Sequence, residues 1–99
     1  MIKRLIVLVG LIAFISACKT GTSSYIDAEK LFKINCVICH GVDGKLGING
    51  AKDLTASPMT LDERINNITN GAGTMTPFKG ILSEEEIKAV AAYTFKLKK

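Results

Sequence analysis

Cys36-Val37-Ile38-Cys39-His40 decides the fold of this 99-residue chain. Where such a run closes a helix, positions i, i+3 and i+4 share one face, so both thiols and the imidazole of this run are presented to the same neighbour. A thioredoxin-like Cys-x-x-Cys centre would need a βαβ setting, but no period-2 alternation occurs after residue 17. A structural zinc ion would need a fourth ligand, and after Cys18 the chain holds neither a further cysteine nor a second histidine. A plain disulfide would leave the adjacent histidine without a role.

A run of this form is the attachment site for a c-type haem. Cys36 and Cys39 are then the covalent anchors, bonding the vinyl groups along one side of the porphyrin, and His40 reaches the iron. Covalent attachment retains the cofactor in an oxidising compartment. An electron carrier needs a second axial ligand on the opposite face, and Met59 and Met75 are the methionines available after residue 17. Met75 lies in Gly71-Ala72-Gly73-Thr74-Met75-Thr76-Pro77-Phe78, where glycines allow close backbone approach and Pro77 limits flexing. Met59 directly precedes a helix start, the ordinary place for a core methionine. Loop chemistry therefore favours Met75. A thioether ligand favours ferrous iron and raises the potential over bis-histidine ligation.

Working toward the N-terminus, Lys3 and Arg4 precede an apolar run from Leu5 to Ile15, and small residues follow. That layout is a secretory signal over residues 1–17. The run is shorter than the ~20 residues that a membrane-crossing helix requires. Ile15-Ser16-Ala17-Cys18 resembles a bacterial lipobox, which makes Cys18 a lipidated residue and the chain an exported lipoprotein, anchored to a membrane on the periplasmic or cell-surface side. Residues 18–24, rich in Gly, Ser and Thr, form a flexible tether of ~13 Å average span, and residues 25–99 form the folded domain. The full chain carries 13 basic and 9 acidic residues. Loss of Lys3 and Arg4 with the signal leaves 11 against 9, too small an excess for a nucleic-acid partner.

The folded part is expected to be all-α, with three main helices and long loops. The first helix is expected over Tyr25 to Cys39, capped by Ser24, with Ala28, Leu31, Phe32, Asn35, Cys36 and Cys39 on one face. Gly41 to Pro58 is a wrapping loop. Thr60 and Glu63 mark the start of a second helix, with Leu61, Ile65 and Ile68 inward and Asn70-Gly71 at its end. Ser83 and Glu86 open the last helix, with Ile87, Val90, Ala91, Thr94 and Leu97 inward and Lys96, Lys98 and Lys99 in its last turn. Tyr25, Phe78 and Phe95 are expected to pack. A core this thin needs a staple.

From about Asp27 onward the chain resembles class I bacterial monohaem cytochromes c. The resemblance is carried by Phe32, the attachment run, Gly41-Val42-Asp43-Gly44, Asp53-Leu54-Thr55, the Met75 loop and a last helix with Val90 and Tyr93. It implies a cytochrome c fold around one covalent haem c, His40 and Met75 as iron ligands, Phe32 and Tyr93 packed where the first and last helices cross beside Ala28, and Leu54 against the haem. It implies a one-electron carrier rather than an enzyme. The donor would be a quinol-oxidising complex or dehydrogenase and the acceptor a terminal oxidase or reductase. An electron-transfer subunit of a larger complex, or a haem sensor or weak peroxidase lacking a stable Met75 bond, are the alternatives. Two departures stand out. Lys52 replaces the proline usual two residues before the leucine, near the carbonyl that holds the ligand histidine, and Thr76 separates Met75 from Pro77. Lys33, Lys45, Lys52 and Lys79 flank the expected haem edge, as a docking face for an acidic partner or as ordinary solvated surface.

Overall fold

The computed structural model describes residues 25–98. The signal, Cys18, the tether and the Ser24 cap lie outside the described residues.

Helix α1 spans Ala28–Asn35 and starts later than the sequence pattern suggests. Its N-cap is Asp27, whose carboxylate accepts from the Lys30 N–H at 3.0 Å. Aspartate there satisfies an orphan amide and faces the positive end of the helix dipole. Tyr25, expected to pack, is 89% exposed. At Cys36 the backbone opens to φ −115°, ψ −29°, and helix α2 follows over Val37–His40. The single helix expected through Cys39 is thus two, turned at the first cysteine. Asn35 Nδ2 donates to the Leu31 carbonyl at 2.9 Å, a side-chain bond of the type that bends helices. The backbone ladder survives the turn, since Cys36 N–H donates to Phe32 O at 2.9 Å and His40 N–H to Cys36 O at 3.0 Å.

A loop with one 3-10 turn, Ile48–Gly50, leads to helix α3, Leu61–Asn70. The Thr60 hydroxyl caps α3 by accepting from Glu63 N–H at 3.2 Å. Helix α4, Glu84–Tyr93, has the full reciprocal box, Glu86 N–H to Ser83 Oγ at 3.1 Å and Ser83 N–H to Glu86 Oε1 at 2.9 Å. A 3-10 turn over Thr94–Lys96 ends it, so Lys98 falls beyond the helical turns rather than in the last one. The described residues contain no strand, only the isolated bridges Ala72–Met75 and Lys79–Leu82.

Helix α4 packs on both α1 and α3, and the core they enclose is Phe32, Ile68, Ile87, Val90 and Ala91. The Phe32 and Tyr93 rings meet at 5.3 Å with a 51° tilt, within the centroid range of favourable aromatic pairs. Gly44 seats the wrapping loop on this core. At φ +79°, a Cβ there would stand 2.7 Å from Leu97 Cδ1, while its carbonyl receives the Leu54 N–H at 2.9 Å. Phe32 is only 1% exposed, so Phe32→Ala is expected to cost about 3–5 kcal/mol, measured as a lowered denaturation midpoint of the holoprotein.

Candidate functional site

One cavity of about 530 Å³ opens between the loops and helices, within the range of roughly 300–1,000 Å³ typical of cofactor sites. Cys36, Cys39, His40 and Met75 all line it. The turn at Cys36 gives α2 its own direction, and α2 then delivers Cys39 and His40 to the same wall. His40 Nδ1 donates to the Lys52 carbonyl oxygen at 3.0 Å. Because a carbonyl can only accept, the proton resides on Nδ1 and the Nε2 lone pair stays free for a metal. The family proline is therefore not needed for this bond: the Lys52 backbone oxygen supplies it.

Both cysteines are half-buried and unbridged. Burial pushes the Cys36 thiol up to about 11. A redox-active dithiol needs a lowered thiol pKa, so Cys36 has the reverse of what disulfide exchange demands.

Both methionines reach the cavity, but their settings differ. Met59 is held by packing and hydrogen bonds: its sulfur accepts from Asn67 Nδ2 at 3.1 Å, and its carbonyl accepts from Arg64 Nε at 3.2 Å. Met75 sits on a short turn closed by its own N–H donating to Ala72 O at 2.9 Å. Gly71 permits that turn. Its φ is +77°, and a Cβ would come within 2.7 Å of the Met75 carbonyl. The two lips of the cavity, residues 48–52 on the His40 side and 72–76 with Met75, are joined where Thr74 Oγ1 donates to Asn49 O at 2.8 Å.

A large part of the wall is apolar, with Phe32, Ile48, Leu54, Ile68, Phe78 and Val90 among its residues. Leu54, expected against the haem, is one of these lining residues. Arg64, by contrast, had no place among the expected site residues, yet it lines the cavity at 6% exposure. Its sequence signal is an arginine between Leu61 and Ile68 on the inward face of α3, with no acid three or four residues away. Two thiols, an imidazole with a free Nε2 and a thioether around a largely apolar cavity suit an iron porphyrin.

Residues 24–93 match the family described as Cytochrome C oxidase, cbb3-type, subunit III. The chain belongs to the cytochrome c family. This cytochrome is 40% identical over 70 residues to cytochrome c6 of Leptolyngbya boryana, covering 65% of this chain and 81% of that one. It is 36% identical over 73 residues to cytochrome c6 of Microcystis aeruginosa, covering 68% and 89%. Its fold is similar to that of the KustC0563 c-type cytochrome, with a TM-score of 0.68 and 32% identity over 75% of this chain and 100% of the other. This cytochrome carries one covalently bound haem c and is an electron carrier, not an enzyme.

Proposed function

We propose that Cys36 and Cys39 form the two thioethers to haem, that His40 and Met75 fill the axial positions of the iron, and that the protein shuttles single electrons in a membrane-associated respiratory or redox chain. The observation that carries this reading is the convergence of Cys36, Cys39, His40 and Met75 on one cavity, with His40 oriented by the Lys52 carbonyl. With both axial positions filled by side chains, no coordination site is left for substrate, which suits electron transfer and excludes bond-making at the iron. Met59 is the weaker candidate, because its sulfur and carbonyl are already engaged. The Lys52 bond orients the imidazole with Nε2 toward the metal position.

Export to the periplasm or cell surface and anchoring through lipidated Cys18 complete the proposal. The tether would keep the domain near the membrane, within reach of a quinol-oxidising complex or dehydrogenase as donor and a terminal oxidase or reductase as acceptor. No helix of the described residues is long and apolar enough to cross a membrane. Of the four lysines near the expected haem edge, Lys33 is paired with Glu29 at 2.9 Å. Guidance of an acidic partner therefore falls to Lys45, Lys52 and Lys79, all exposed.

A spectroelectrochemical titration tests the function. A single reversible one-electron wave is expected, together with a ferrous form that does not bind carbon monoxide. Ready carbon monoxide binding by the native protein would instead support a sensor or weak peroxidase. Palmitate incorporation abolished by Cys18→Ser is the expected result for the anchor.

A further inference from the structure

One hydrogen bond bridges the mouth of the cavity, and each of its ends stands close in sequence to a proposed ligand of the iron. Thr74 directly precedes Met75, and its hydroxyl donates to the Asn49 carbonyl at 2.8 Å. Asn49 comes shortly before Lys52, whose carbonyl accepts from His40 Nδ1 at 3.0 Å. The remaining hydrogen bonds of each lip run to its own surroundings. Beyond Met75 the chain is fixed to α3 by Phe78 N–H donating to Ile68 O at 2.8 Å and Lys79 N–H to Thr69 O at 3.1 Å, whereas beyond Asn49 it is fixed by Leu54 N–H donating to Gly44 O at 2.9 Å. Among the described residues no other hydrogen bond joins lip to lip.

A strained turn holds the acceptor in place. Asn49 has φ +54° and ψ 32°, and among the described residues it is the only non-glycine at positive φ. Gly50 follows at φ +76°, and Ala51 N–H donates to Ile48 O at 3.0 Å. Positive φ at both central residues is the form of a type I′ turn, for which Asn-Gly is a preferred pair. Such turns ordinarily join paired strands, but no strand flanks this one, and what its first central carbonyl meets is Thr74. We propose that Thr74 is a positioning residue whose bond to Asn49 locks the Met75 segment to the His40 segment, so that the two axial ligands are held and released together. The inference rests on His40 and Met75 ligating the iron, as proposed above. Both ends of the bond are exposed, so water competes for it and its net effect is that of an ordinary neutral hydrogen bond, about twofold to tenfold as a ratio of rates. That is too little to decide whether the chain folds, and enough to set how often the sulfur leaves the iron.

The test uses ferric holoprotein with imidazole as the entering ligand, because the rate of replacement saturates at the rate at which the sulfur leaves. The red-edge absorption band of the native protein comes first. Its absence would sink the Met75 assignment and this proposal with it, whereas a present band with a native rate in Thr74→Val would sink this proposal alone. The saturating rate is expected to rise about twofold to tenfold in Thr74→Val and to stay near native in Thr74→Ser, which keeps the hydroxyl. Asn49→Val, which opposes the left-handed turn, is expected to raise the rate as well, and Asn49→Gly, which keeps both the turn and the carbonyl, to leave it native. Thr74→Val combined with Asn49→Val is expected to go no further than the larger single change, since both remove the same bond. Coupling is read at the other ligand, where exchange of the His40 Nδ1 proton with solvent, followed by proton resonance, is expected to quicken in Thr74→Val. Ser83→Ala, which strips the cap of α4, is the control that lowers stability and leaves both rates native. Exchange at His40 that ignores Thr74→Val, additive effects in the double variant, or equal rises in Thr74→Val and Ser83→Ala would overturn the proposal.

Discussion

Met75→Ala is expected to leave haem attached and to strip the iron of its sulfur ligand. The red-edge absorption band of the ferric protein disappears, the ferrous protein acquires carbon monoxide binding, and the potential falls by a fraction of the roughly 0.8 V that axial ligation commands across haem proteins. The cause is local. Among the described residues only the Met75 turn presents an uncommitted thioether to the cavity, and that turn is held in shape by Gly71 and by the Thr74 bond to Asn49. Met59→Ala is the control, with the band and the refusal of carbon monoxide both retained, because the Met59 sulfur serves as an acceptor for Asn67. Loss of the band in Met59→Ala with retention in Met75→Ala would reverse the ligand assignment.

Replacing both anchors, Cys36→Ala with Cys39→Ala, is expected to remove haem and most of the tertiary structure together. Three of the five core residues, Phe32, Ile68 and Val90, also line the cavity, so the haem completes the core they begin. Without the haem these apolar walls face solvent through an open cavity of about 530 Å³, and a small domain has only about 5–15 kcal/mol of stability with which to offset that loss. Far-ultraviolet circular dichroism and proton-shift dispersion of the double variant are expected to show a largely unfolded chain. Each single variant keeps one thioether and is expected to retain haem and fold with reduced stability. A cooperative, well-dispersed fold in the haem-free double variant would mean that helices α1 to α4 suffice by themselves.

Local chemistry was the legible part of this molecule. Thr60 and Ser83 cap the helices they were expected to cap, because the acceptor, the amide and the glutamate all lie within one turn. The inward stripe of α4 was readable for the same reason, as was the pairing of Phe32 with Tyr93 from the family resemblance. Competition between two good signals was not legible. Ser24 and Asp27 are both suitable caps, and the described fold starts its helix at the second. The turn at Cys36 is not legible either, since nothing in the helical stripe marks Asn35 as a side chain bonded to Leu31 O.

Non-local contacts left the faintest trace in the sequence. A backbone carbonyl carries no side-chain signature, so the Lys52 oxygen behind His40 could be known only once the 41–58 loop was folded. Thr74 and Asn49 are 25 residues apart and neither is unusual by type. Arg64 was overlooked because an arginine on a helix is ordinarily a surface residue. Its four hydrogen bonds come from the loop at 54–59 and from Thr94, segments that the helical period of α3 says nothing about.

The most direct test of the central claim is the intact mass of the purified, denatured protein, taken before and after thiol alkylation. The account predicts a chain heavier by one haem that survives acid–acetone extraction, with Cys36 and Cys39 both closed to alkylation. A chain that gives up its haem to solvent, or that takes up alkylating reagent at Cys36 and Cys39 while still coloured, would contradict it.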